Sequence, residues 1–304
     1  MKTDNTIRTQ LELFPEEIRK GQKTKTTKVR QSSSKNFKGW NDAMASMAKN
    51  FSTSDRKYFA GMIDGDGSFD IPNKYPGKLR IRLELRHDRA EPVSKLAEIF
   101  DLTVSKKIYL IPKGNTQPTL MSELNGIKAK VFLFFIYPYL LEEKDKARAV
   151  LISLGCPQEH LPEQRQFSFE YLAGYTDSEG TVYFTLRHDK TKTGNTISTY
   201  KQYYVLTSNN NSHLQFIKKN LIELGFDHFR KDYVDTYKNA KKREGINPEK
   251  WKDTTHIYLG GNPTQLSNFY KNVEPFMLIK HKKENMRHTI TYDRVITSNE
   301  RLKK

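Results

Sequence analysis

The feature that most constrains this 304-residue chain is a block that occurs twice. Residues 54–69, SDRKYFAGMIDGDGSF, are answered by residues 169–184, FEYLAGYTDSEGTVYF, so that Ala60 maps onto Ala173 at an offset of 113. Downstream elements keep their order. The offset grows to 137 at the pair Pro138 and Pro275, across polar insertions at Asp189–Thr196 and Lys238–Asp253. A duplicated block with drifting loops predicts two copies of one structural unit, with insertions accommodated at the surface.

Each copy reads as helix, two strands, helix, one or two strands, then helix. Leu79, Ile81, Leu83 and Leu85 alternate with Arg80, Arg82, Glu84 and Arg86, which demands a strand with one apolar and one charged face. Val182, Phe184 and Leu186 alternate with Thr181, Tyr183, Thr185 and Arg187 in the same way. Val93, Leu96, Ala97 and Phe100 form a helical stripe, as do Leu214, Ile217, Leu221 and Leu224. Asn262, Pro263 and Gln265 mark a helix start. The expected fold is α+β: two pseudo-twofold-related αββαββα units forming a saddle of antiparallel sheets, with helices on one sheet face and the other face open. The expected division is a basic N-terminal extension over 1–53, a first half over 54–161 and a second half over 162–304.

Charge narrows the partner. Lys and Arg number 52 against 35 Asp and Glu, a net charge of +17, which calls for a polyanion. From Ile18 to Asn41 there are eight Lys/Arg and no acid, which reads equally as a nucleic-acid-binding arm or a solvated tail. Trp40, Met44, Met47 and Phe51 at helical spacing predict a short docked helix after it. Cys156, the single cysteine, rules out an internal disulfide and a cysteine zinc cage and fits a reducing, intracellular setting. The longest apolar run, Val131 to Leu141, is broken by Pro138 and too short to span a bilayer, and Asp4, Glu12, Glu16 and Glu17 argue against a secretory leader. No phosphate-binding P-loop, dinucleotide fingerprint or serine-hydrolase elbow is present.

The repeated block concentrates the candidate chemistry. Ala60, Gly61 and Gly65, and Ala173, Gly174 and Ser178, place small residues on one helical face, so two helix backbones can approach closely. Gly67 and Gly180 stand where a helix would end in a left-handed residue, leaving Asp66 and Glu179 at the two helix C-termini. Two carboxylates side by side at the negative ends of helix dipoles are doubly unfavourable. A divalent cation resolves both penalties, and under a basic surface it suits phosphodiester hydrolysis. Asp64 and Asp177, two residues earlier, are expected to cap helices or bond across the interface instead. A calcium-binding EF-hand loop starting at Asp64 fails, because Phe69 takes the glycine position and Tyr75 that of the bidentate acid. An aspartic-protease reading fails because Glu179 stands where glycine would follow Asp-Ser.

The two blocks resemble the paired signatures of LAGLIDADG homing endonucleases of the single-chain, two-motif type, over roughly Ser54 to Lys283. The resemblance implies a site-specific double-strand DNA endonuclease, monomeric and intron-encoded, that cuts across the minor groove and leaves short 3′ overhangs. It implies Mg2+, or another divalent cation such as Mn2+, on Asp66 and Glu179, assisted by the carbonyls of Gly65 and Ser178. The basic residue expected near the site is Lys280, in the segment from Pro275; Glu143 takes that place in the first half, so the two strands are expected to be cut at unequal rates. Sheet parity then nominates DNA-contacting side chains: Ser68, Asp70, Lys74, Arg80, Arg82, Glu84 and Arg86 in the first half, and Thr181, Tyr183, Thr185, Arg187, Thr199, Lys201 and Tyr203 in the second. An RNA-binding intron maturase and a catalytically silent DNA-binding protein remain the rivals. The compartment, whether chloroplast, mitochondrion or bacterial cytoplasm, is left open.

Overall fold

The computed structural model describes residues 35–72, 77–110, 116–190, 196–235, 253–260 and 262–301. Elements run α1 (Lys35–Ala48), α2 (Thr53–Gly65), β1 (Ser68–Asp70), β2 (Arg80–Arg86), α3 (Glu91–Phe100), β3 (Ser105–Leu110), β4 (Thr116–Asn125), α4 (Gly126–Ile136) and α5 (Lys144–Ser153). The second set is α6 (Phe169–Glu179), β5 (Gly180–Lys190), β6 (Thr196–Ser208), α7 (Asn211–Glu223), β7 (Tyr233–Asp235), β8 (Thr254–Leu259), α8 (Pro263–Val273) and α9 (Lys280–Arg301). From α2 and from α6 onward both sets therefore read αββαββα with one more helix, α1 preceding the first, and both sheets are antiparallel with matching orders, β1-β2-β4-β3 and β5-β6-β8-β7.

The expected alternation is realised. In β2 the side chains of Ile81, Leu83 and Leu85 are buried, and the intervening Arg80, Arg82 and Glu84 are not. Asn262 caps α8, its side chain accepting the Gln265 N–H at 3.1 Å. The docked helix α1 exists: Trp40 and Phe51 are buried, with Met44 and Met47 packed on the core. Phe51 stacks on Phe132 of α4 at 5.6 Å between centroids and meets Phe100 edge-on at 5.2 Å. This aromatic cluster ties the segment before the first repeat to the first half. The basic stretch from Ile18 lies outside the described residues up to position 34.

The halves join through α2 and α6, and the reason is backbone proximity. A Cβ on Gly61 would collide with the carbonyl oxygen of Tyr171, and one on Gly174 with the carbonyl oxygen of Tyr58. These contacts are each other's mirror, since Gly61 and Gly174, and Tyr58 and Tyr171, are both 113 apart. A Cβ on Gly65 would collide with the Ser178 hydroxyl. The duplication is also visible in Lys57, whose Nζ lies 2.9 Å from Oε1 of its counterpart Glu170.

One expectation is corrected. Gly67 and Gly180 are not left-handed: neither is among the positive-φ residues, and Gly180 sits at φ −86°, ψ 152°, already extended. They are glycine because the chain doubles back over its own helix. A Cβ would meet the Ile63 Cα at 2.5 Å in one half and the Thr176 Cα at 2.7 Å in the other.

Candidate active site and nucleic-acid interface

Asp64 and Asp177 build the frame of the site. Asp64 Oδ2 accepts the N–H groups of Leu141 (2.7 Å) and Glu142 (3.1 Å), Oδ1 accepts that of Glu143 (2.9 Å), and the Tyr171 hydroxyl donates to Oδ2 at 2.8 Å. Asp177 Oδ2 accepts from Leu278 N–H (2.7 Å), Ile279 N–H (3.2 Å) and the Tyr58 hydroxyl (2.7 Å). Each aspartate thus fixes the entry to the last helix of its own half and takes a tyrosine from the other half. Burial pushes both carboxyls up, and these donors oppose it. Asp64 commits both oxygens to donors and Asp177 its Oδ2, while the buried Asp177 Oδ1 accepts no hydrogen bond among the described residues; both act as structural acids, in line with the capping or interface-bonding role expected for them.

Asp66 and Glu179 stand at the C-terminal ends of the packed helices, Asp66 capping α2 and Glu179 closing α6. A Cβ on Gly65 would also come within 3.2 Å of Glu179 Cγ, so the two helix ends touch. Asp66 is exposed to solvent, yet the protein around it raises its carboxyl by desolvation, and the cations Lys282 and Arg89 draw it back down. Glu179 is pushed up to about 7, first by burial, then by the negative charge of Asp66, with Lys282 opposing and Glu142 adding to the rise. The mutual repulsion expected of the pair is therefore present.

The lysine that faces the pair is Lys282. Its buried Nζ donates to the carbonyl oxygens of Thr176 (2.7 Å), which also accepts the Gly180 N–H, and of Asp177 (2.9 Å), both in the last turn of α6. Burial lowers it to about 8, while Asp177, Asp66 and Glu179 hold it up. Lys280, nominated from sequence, is exposed at the start of α9, and its backbone N–H points to Glu91 Oε1 at 3.4 Å. The signal for Lys282 was periodicity: Lys282, Met286 and Thr289 share the buried stripe of α9.

Among the described residues, the turn before α5 brings acids toward the pair where α9 brings Lys282. Glu143 pairs with Lys146 at 2.9 Å. Glu142 turns toward the second half, 3.8 Å from His213 Nε2. Burial raises Glu142 to about 7 and lowers His213 to about 4, so the imidazole is neutral and does not offset the acid. Sequence reasoning passed over Glu142, Arg89 and His213, whose relevance comes from contacts between halves.

The residues fit a hard divalent cation. Two adjacent carboxylates with raised affinity for protons, joined by the orphan carbonyls of Gly65 and Ser178 at the helix ends, form an all-oxygen donor set. Among the described residues no group of three or more His, Cys, Asp or Glu forms a metal cage. Waters and phosphate oxygens would complete the shell, as suits Mg2+.

The open sheet faces hold most of the nominated contact residues. In the first sheet, Ser68 pairs in register with Arg82 and Asp70 with Arg80. Here the arginines already have acids. Arg80 grips Asp70 with two bonds (3.0 and 2.7 Å), Arg82 reaches Glu123 at 2.6 Å, Arg86 reaches Asp88 at 2.9 Å, and Glu84 receives Lys107 (3.0 Å) and Thr119 (2.8 Å). In the second sheet Thr181 and Tyr183 are exposed, and Tyr183 stacks on Tyr203 at 5.8 Å. Thr185 pairs with Lys201 and Arg187 with Thr199 in the β5–β6 ladder. The side chains of these four residues lie outside the described part, as does Lys74 entirely. No helix among the described residues is long and apolar enough to cross a membrane.

No protein-family model and no curated protein matches the chain. Solved structures do. The LAGLIDADG meganuclease I-AabMI bound to uncleaved DNA is 11% identical at TM-score 0.49, covering 80% of this chain and 92% of that one. The I-SmaMI homing endonuclease bound to cleaved DNA is 14% identical at TM-score 0.49 (81% and 91%), and I-LtrWI bound to target DNA is 14% identical at TM-score 0.43 (80% and 90%). The solved structures this chain is similar to are LAGLIDADG homing endonucleases.

Proposed function

We propose that this chain is a site-specific double-strand DNA endonuclease that hydrolyses phosphodiester bonds with Mg2+ or Mn2+. The observation that carries the reading is the meeting of Asp66 and Glu179 at the touching ends of α2 and α6, with Lys282 as their shared counter-charge. Asp66, Glu179 and the carbonyls of Gly65 and Ser178 would hold the cation, which supplies charge neutralisation at the phosphate and a more acidic water. Lys282, fixed by two carbonyls, holds positive charge beside the scissile group without needing to reorganise. The helix frame set by Asp64 and Asp177 keeps these groups in place. The open faces of the two sheets, in a chain of net charge +17, supply the surface for the duplex. The resemblance adds cutting across the minor groove, short 3′ overhangs and action as a monomer.

The test is incubation with Mg2+ and a plasmid carrying the uninterrupted insertion site of the protein's own gene. Linear product that chelator abolishes supports the endonuclease; an intact plasmid with assisted splicing of the intron RNA would show the maturase instead. Binding without cutting or splicing would identify a silent DNA-binding protein.

A further inference from the structure

The two open sheet faces hold their arginines differently. Arg80, Arg82 and Arg86 each spend guanidinium donors on a carboxylate of their own sheet or its edge. Arg230 does not. Its guanidinium carbon lies 4.3 Å from the centroid of the Tyr203 ring, no carboxylate pairs with it among the described residues, and Tyr203 is itself stacked on Tyr183 with 22° between ring planes.

The backbone explains why Arg230 points there. Phe229 bridges to Leu259 of β8, and the Arg230 N–H donates to the Tyr258 carbonyl at 2.9 Å. The strand-like alternation packs Phe229 against the core and sends Arg230 to the opposite, open face. Tyr203 belongs to β6, an interior strand of its sheet, so Arg230 lies over the middle of the face rather than at its rim. A guanidinium resting on an aromatic ring loses little orientational freedom on binding, and its in-plane N–H groups remain available.

Resting on the endonuclease reading, we infer that Arg230 is a specificity-determining residue that donates bidentately to a guanine in the half-site under the second sheet, with Tyr203 as its positioning residue. Guanine offers O6 and N7 in the major groove with the spacing of a guanidinium fork. A phosphate contact needs only a mobile charge, and a ring-stacked arginine at the centre of a face is built for a fixed direction. The ion-paired arginines of the first sheet must break or share a carboxylate to do the same, so that half-site is read with less dependence on any single arginine.

The experiment selects binders from a randomised duplex library with the full chain carrying Asp66→Asn, in the absence of divalent metal. The selected sites should contain one guanine position whose preference falls on the order of 10- to 100-fold in Arg230→Gln while the other positions keep theirs. Arg230→Lys, which retains charge but not the planar fork, should lose the same preference, and Tyr203→Ala should weaken it. Thermal melts identify any variant that fails to fold, and the lysine variant then decides. Unchanged site preferences in both Arg230 variants overturn the inference. So does a uniform loss over all sequences with a salt dependence smaller by about one ion, which marks a phosphate contact. If Asp66→Asn selects no sequence at all, the endonuclease reading itself fails and the inference falls with it.

Discussion

Asp66 and Glu179 hold equivalent places in the two halves and repel each other, yet the other charges around them differ. Around Asp66 stand Lys282 and Arg89, both drawing its carboxyl down; around Glu179 only Lys282 does so, and Glu142 works against it. The helix frame is duplicated closely, down to the reciprocal collisions a Cβ would cause at Gly61 and Gly174. The difference lies in what each last helix and its preceding turn bring inward: Lys282 in the second half, Glu142 in the first. Duplication preserves the backbone contact because both helices need it at once, while side chains around it are free to diverge.

The largest expected effect tests whether the acids act as one unit. Asp66→Asn and Glu179→Gln should each reduce double-strand cleavage on the order of 10³-fold with DNA binding retained; near-normal cutting by either, measured on supercoiled plasmid, sinks the assignment. Next, Lys282→Met should slow cleavage by about 10²-fold and change the ratio of the two nicked products, while Lys280→Met should stay within about twofold, as for an exposed side chain. Equal loss from both lysines would return Lys280 to the site.

Stability probes the shared frame. Gly61→Ala and Gly174→Ala should each cost about 1–3 kcal/mol in urea unfolding, because the neighbouring helix must move. Tyr58→Phe and Tyr171→Phe should cost about 1–2 kcal/mol each by removing a donor from a buried aspartate. Unequal costs within either pair would show that the halves bear unequal loads.

The smallest effect concerns pH. Glu179 and Glu142 both rise from ordinary carboxylate values to about 7, so between roughly pH 4.5 and 7 these two groups bind more protons in the native protein than in the unfolded chain, and together they outweigh His213, which is lowered to about 4 and binds fewer. In that window metal-free protein should lose stability as pH rises, and Mg2+ should offset the loss. Glu142→Gln removes a negative neighbour of Glu179, so the acidic limb of the cleavage profile should move to lower pH; no movement, or movement upward, would break the proposed asymmetry.

Much of this molecule could be read in order along the chain. The 113-residue repeat, the alternation at residues 79–86 and the small faces around Gly61 and Gly174 prescribe strands, helices and a close helix pair. Those are local periods of two and about 3.6, and they carry their own meaning. Asp66 and Glu179 followed from their place at the helix ends. Lys282 did not: reading the segment after Pro275 as a linear motif selects Lys280, whereas the turn of α9 buries the residue two positions later. Arg230, Glu142 and Arg89 carry no local pattern.

What the linear order of residues settles here is the duplicated scaffold and the identity of its central acids, because backbone contacts repeat wherever small residues repeat. Which cation faces those acids, which carboxylates hold the described sheet-face arginines and which charges each half brings to the pair depend on side chains that meet across the interface and across each sheet. Charge–charge energies vary with distance and burial, and those are properties of the folded arrangement alone.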